Sequence, residues 1–141
     1  MEAITITRPV LVKVRVTENY RKARAAALQG AAQRIETQLQ QLEFQGKKIL
    51  AQLEKQNPQA IPQTRQKIEE DKQGLLNTRQ KIVDGLKEIG RWAVGEEVLD
   101  GRVESLVEIK VGARWSAVME VEVVLEDGMV VEIRSGQGSG E

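Results

Sequence analysis

The chain has neither cysteine nor histidine, and the two absences exclude a great deal of chemistry. Without cysteine there is no disulfide framework, no thiolate nucleophile and no thiolate metal site. Without histidine the usual general base, metal ligand and near-neutral pH sensor are missing. Aromatic residues make up only 3% of the 141 positions, so aliphatic stripes have to do the packing. No apolar run approaches the roughly 18 residues that crossing a bilayer requires. The opening MEAITITRPV also lacks a basic segment followed by an apolar one. A cytoplasmic protein with a modest core, no membrane partner, no cofactor and no metal is therefore expected. The length suits about one domain, or a small body with an appendage.

What is present in quantity is charge, 30% of residues, and its balance is uneven. The formal net charge is zero, yet residues 1–95 hold 17 Lys and Arg against 10 acids, while residues 96–141 hold 4 against 11. A basic front half suits nucleic acid, and an acidic rear suits a basic partner. Alternatively, the halves neutralise each other inside one fold, and the strand pattern favours this.

From Val10 to Val16 the chain alternates, with Val10, Val12, Val14 and Val16 on one face and Leu11, Lys13 and Arg15 on the other, as in a half-buried strand. Thr17 then offers an N-cap oxygen and Glu18 a favourable charge in a first helical turn. Beyond it the period changes to seven. Leu28, Ile35, Leu42 and Ile49 form one row, and Ala32, Leu39, Gly46 and Leu53 a second. Ile68, Leu75, Ile82 and Ile89 repeat the first row after a break at NPQAIP, residues 57–62. Two amphipathic coiled-coil helices result. The first, from Glu18 to Gln56, is about 58 Å long at about 1.5 Å per residue.

Folding back as an antiparallel hairpin requires facing residues to share a constant total of their numbers. Pairing Ile49 with Ile68, Leu42 with Leu75, Ile35 with Ile82 and Leu28 with Ile89 satisfies this and centres the bend between Pro58 and Gln59. The second row then faces Leu86, Arg79, Lys72 and Arg65, with Gly46 set against Lys72 and the basic stems lying along apolar surface. Asn57 is expected to cap near Pro58, with the return helix regular only after Pro62 and ending near Gly90 to Gly95.

Period two then returns at Val103, Val107, Ile109 and Val111, and again along Trp115, Ala117, Met119, Val121, Val123 and Leu125. Asp127-Gly128 supplies tight-turn residues before Met129, Val131 and Ile133. The acids Glu104, Glu108, Glu120, Glu122 and Glu132 are placed on an outward face, where Lys13 and Arg15 of the first strand can pair with them. The expected fold is α+β: a long antiparallel coiled-coil hairpin, residues 18–92, inserted into a small antiparallel β-sheet or open-barrel domain of residues 1–17 and 96–134. The tail SGQGSGE is expected to be disordered.

Three segments, ITRPVLVKVRVTE (residues 6–18), QLEFQGKKIL (41–50) and EVLDGRVESLVEIKVGARW (97–115), make the chain resemble the bacterial YlqD family, small proteins without an assigned activity. The resemblance covers nearly the whole chain apart from the tail. Its motifs read as structural, and it implies no catalytic residues.

The candidate chemical motifs are weak. GQGSG has the glycines of a phosphate loop but no helix after it. The acids Glu69, Glu70 and Asp71 are consecutive on a helix and point apart. Glu120 and Glu122 share a strand face as an acid/base pair would, with nothing apolar nearby to raise a pKa. The GKK at residues 46–48 lacks the full phosphate-loop pattern. No catalytic residue is assigned and the protein is not expected to be an enzyme.

Apolar residues off the main rows are more informative. Phe44, Leu50, Leu76 and Val83 either widen the seam between the helices or form a second stripe for another copy or a protein partner. Ile61, at the bend, is a further candidate contact. A protein-interaction or scaffold role acting through the coiled-coil arm, with a protein partner or a homo-oligomer, ranks first. A ribosome- or RNA-associated accessory role and a holdase-like chaperone role follow.

Overall fold

The computed structural model describes residues 1–136; the expected disordered tail lies outside them from residue 137 onward. In chain order the elements are β1 (Ala3–Arg15), α1 (Glu18–Gln56), a 3-10 turn (Pro58–Ala60), α2 (Ile61–Arg91), β2 (Glu97–Lys110), α3 (Trp115–Met119), β3 (Val121–Glu126) and β4 (Met129–Arg134). The fold is α+β, with two compact units. One comprises Met1–Arg21 with the chain from Trp92 onward, and the other is Lys22–Arg91.

In the sheet unit the strand order is β2-β1-β3-β4. β1 pairs antiparallel with β2, and β3 with β4, but β1 and β3 run parallel. The sheet is therefore mixed and open, which corrects the antiparallel and barrel expectations. The cause lies in residues 111–120. β2 ends beside Ala3, while β3 starts beside Val10 on the other side of β1. The chain must step over one strand, about 9–10 Å at about 4.8 Å per strand. Trp115–Met119, expected to open a strand, coil into α3 to make that step.

Asp127 and Gly128 take φ of 46° and 82°, the left-handed pair that a two-residue hairpin turn demands, and connect β3 to β4 as the Asp-Gly signal predicts. Each edge strand carries one extra residue. Asp100 interrupts the β1/β2 register between Gly101 and Leu99, and Val131 interrupts β3/β4 between Glu132 and Val130.

Alternation puts Val10, Val12 and Val14 on one face of β1, level with Val121, Val123 and Leu125 of β3. Val10, Val14 and Val16 are buried. Val16 donates its N–H to the Glu96 carbonyl and accepts the Gly95 N–H at 2.7 and 2.8 Å. Thr17 then caps α1 as its side chain suggests, its Oγ1 accepting the Tyr20 N–H at 3.1 Å and donating to Asp127 at 2.7 Å. Tyr20 stacks on Trp92 at 5.7 Å between ring centroids and donates its hydroxyl to the bulged Asp100 at 3.0 Å.

In the helical unit, α1 and α2 pack antiparallel with a register about three residues away from the like-row pairing expected. A Cβ on Gly46 would sit 3.2 Å from Ile68, and one on Gly85 would sit 3.0 Å from Leu28. Glu36 and Arg79 form an ion pair at 2.7 Å. Gly46 thus faces Ile68, where the sequence pairing set Lys72 against Gly46 and Ile49 against Ile68. Knobs-into-holes packing explains the shift. A large residue of one row enters the space left by a small residue of the other, whereas like rows would meet branched residue against branched residue. Ile35, Gly46, Ile82 and Ile89 are the buried positions.

The bend lies where the sequence places it, at residues 57–60 and centred between Pro58 and Gln59, and Asn57 leaves helical geometry at φ −158°. Asn57 makes no side-chain cap, contrary to expectation; its carbonyl accepts the Ala60 N–H at 3.1 Å. α2 begins at Ile61, one residue before Pro62. A proline in a first turn lacks only an N–H that has no intrahelical acceptor, so the helix need not wait for it. No helix among the described residues is long and apolar enough to cross a membrane.

Candidate interaction site

Charged residues concentrate on one face of the sheet, where alternation places Lys13 and Arg15 level with the even-numbered side chains of β3 and β4. Lys13 Nζ lies 2.8 Å from Glu122. Arg134 forms a two-pronged pair with Glu97 at 2.6 and 2.7 Å and also reaches Glu122 at 3.1 Å and Glu132 at 2.8 Å. Arg15 completes the set with Glu97 and Glu132 at 3.3 and 3.4 Å.

Glu97 is on β2 and Arg134 on β4, the two outer strands, nominally three steps or about 14 Å apart. The long Arg134 and Glu97 side chains reach toward each other over this face and span the two strands between them. The Arg134 guanidinium, aided by Arg15, pulls the Glu97 carboxyl down to about 2. Lys13 first and then Arg134 lower Glu122, and Arg134 lowers Glu132. Val124, flanked in the register by Lys13 and Glu132, is fully buried beneath these side chains.

This arrangement is a clamp within the fold. It holds Glu122 ionised, the opposite of what an acid catalyst needs. Glu120 stands outside the strand, at the C-terminal end of α3, so the two carboxylates do not share a strand face. Glu97 and Arg134, central to the clamp, were not recognised as partners from the sequence. The signal available was their placement at the ends of the outer strands, which becomes readable only once the strand order is known. Glu104 and Glu108, expected on the paired face, lie on the part of β2 that runs beside Ala3–Pro9, beyond the reach of β3.

The other weak motifs resolve locally. Asp71 pairs with Lys67 at 3.0 Å and Gln66 donates to Glu70 at 3.3 Å, both one helical turn apart. Among the described residues no acidic cluster is placed to hold a metal ion. Gly46 of the GKK motif is packed against Ile68 inside the helix pair.

The five candidate contact residues separate. Leu50 and Leu76 line a common groove of about 440 Å³ on one side of the helix pair, with Leu39, Leu42, Gly46 and Ile68. Glu36, Glu43, Glu69, Lys47, Lys72 and Arg79 also line it. The absent side chain at Gly46 lets Ile68 sit low and opens the groove above it. The opposite side of the pair is polar instead, with Gln38, Gln41, Gln45, Asp71 and Thr78 around Leu42 and Leu75. Phe44, 70% exposed, does not line the groove, and Val83 is 37% exposed. Ile61 is half-buried at the start of α2 rather than bare at a tip.

Comparison with known proteins agrees with this architecture and leaves the activity open. A solved structure described as a protein of unknown function from Synechococcus sp. WH 8102 matches with a TM-score of 0.82 at 24% identity, covering 94% of this chain and 95% of the other. That likeness is one of fold. No curated protein matches. The family model described as YlqD protein matches residues 4–134, which takes in every strand and helix described above apart from Ala3 at the start of β1. The chain belongs to the YlqD family.

Proposed function

We propose that this chain is a non-catalytic interaction protein, a scaffold whose helical pair receives an amphipathic helix of a protein partner. The observation that carries the reading is the groove over Gly46. Its floor residues Leu39, Leu42, Gly46 and Leu50 recur at three- and four-residue steps along α1, with Ile68 and Leu76 opposite on α2. This is the spacing at which a docked helix presents its own apolar side chains. The rim carries three acids and three bases. A rim of both signs suits a helix with charges of both signs better than it suits a phosphate backbone, which calls for one sign throughout.

The test is affinity capture from a native extract, with and without nuclease, comparing the wild type with a Leu50→Glu/Leu76→Glu variant. A discrete protein should stay bound after nuclease and be lost in the double variant, with helicity unchanged. Phe44→Ser, outside the groove, should retain it. Loss on nuclease treatment, with binding that weakens steeply as salt rises, would favour the RNA-associated reading. Capture of many unrelated unfolded chains would favour a holdase.

A further inference from the structure

The sheet has three stretches of open edge, and they are protected unequally. The outer edge of β2 carries a bulge at Asp100 and the charged side chains of Arg102, Glu104, Glu108 and Lys110. The start of β1, beyond the reach of β3, has α3 beside it, with Arg8 donating to the Val118 carbonyl at 2.9 Å. Among the described residues β4 lacks comparable cover. Met129, Val130 and Ile133 are 69%, 57% and 71% exposed, and Val131 is 44% exposed. Its two charged residues, Glu132 and Arg134, are drawn onto the inner face by the clamp with Glu97, Glu122 and Arg15. Charged side chains on an edge strand ordinarily discourage pairing with another chain. Here they are held as a matched pair of opposite signs on one face of the strand, and the rest of the edge is apolar.

We propose that β4 is a homodimerisation edge, pairing antiparallel with β4 of a second copy about a two-fold axis at Ile133. The second copy is the occupant because the strand is its own complement in charge. Centring on Ile133 sets each Glu132 opposite the other copy's Arg134, twice over, whereas a parallel in-register pairing sets like charges together. The same centring extends an existing row of side chains. Val12, Val123 and Ile133 lie level across β1, β3 and β4, and the row ends at an Ile that is 71% exposed. A second Ile133 continues it. The bulge at Val131 limits the usable ladder to about residues 131–135, so the dimer forms at high concentration rather than as an obligate unit. This inference is independent of the groove on the helical pair.

The chain has no cysteine, so Ile133→Cys introduces a single thiol. At the centre of an antiparallel pair the two Cα atoms stand about 4.5–5.5 Å apart, within disulfide range. Sedimentation of the full chain across concentration should show a reversible monomer–dimer equilibrium. Ile133→Cys should form an inter-chain disulfide under mild oxidation, and Ile133→Lys should weaken the dimer at least tenfold without altering the melting curve. A wild type that stays monomeric throughout, or a dimer unchanged by Ile133→Lys, overturns the proposal. Crosslinking through Phe44→Cys but not through Ile133→Cys also overturns it, because the copies would then meet through their helices.

Discussion

Arg134 in the sheet unit has three carboxylates of its own chain within 3.1 Å, drawn from three different strands. In the helical unit the ion pairs Glu43–Lys47, Lys67–Asp71 and Glu88–Arg91 stay within one helix, and Glu36–Arg79 crosses between the two. The same types of residue therefore serve different ends. In the sheet, charge locks strands that are far apart in sequence and covers a buried valine. On the helices it leaves an apolar groove uncovered, because neighbouring turns of one helix satisfy most of it. A surface fastened to itself has little left for a partner, and a groove open along two helices has more.

Breaking the clamp from below should have the largest effect. Val124→Asp places a carboxylate at a position with no solvent exposure, beneath cations already matched by Glu97, Glu122 and Glu132, and should cost about 4 kcal/mol in denaturant unfolding. Reversing the two β1 charges, Lys13→Glu with Arg15→Glu, surrounds Arg134 with carboxylates and should cost about 2 kcal/mol. Reversals on the helical rim, such as Lys47→Glu, should stay within about 0.5 kcal/mol.

Acid sharpens the contrast further. Glu97 is held at about 2 against an ordinary 4.5. A carboxyl depressed by folding contributes its full stability above the ordinary value and loses it as pH falls toward the folded one. Unfolding followed from pH 6 to pH 2 should therefore show a loss of about 1–2 kcal/mol from this group, after allowing for solvent screening. Replacing Arg134 by Gln should flatten that dependence.

The smallest change tests the helix register. Cysteines at positions 46 and 68, joined by a short bis-maleimide, should crosslink within one chain faster than cysteines at 46 and 72. The reverse order would restore the like-row pairing.

Much of the fold was legible because it rests on local periodicity. The seven-residue rows marked both helices, Thr17 marked the start of α1, and Asp127-Gly128 marked the β3/β4 turn. What escaped depended on long-range placement. Trp115–Met119 alternates well enough for a strand, yet the step over β1 decides that it coils. The register of the hairpin turned on which residues leave space: periodicity makes Gly46 a member of a row rather than a hole, and gives Gly85 no part at all. The candidate groove was half legible. Leu50 and Leu76 stood out as apolar residues beside the seam, but only the packing of Ile68 against Gly46 shows that they border one groove that excludes Phe44.

The proposed docking surface is the groove rather than any other face of the helical pair. It is tested most directly by placing a photo-activatable benzophenone side chain at residue 50 or at residue 44 of the full chain in living cells and irradiating. Position 50 should yield a discrete protein adduct that survives nuclease, and position 44 should not. An adduct at 44 without one at 50, or transfer from position 50 to nucleic acid, would contradict the account.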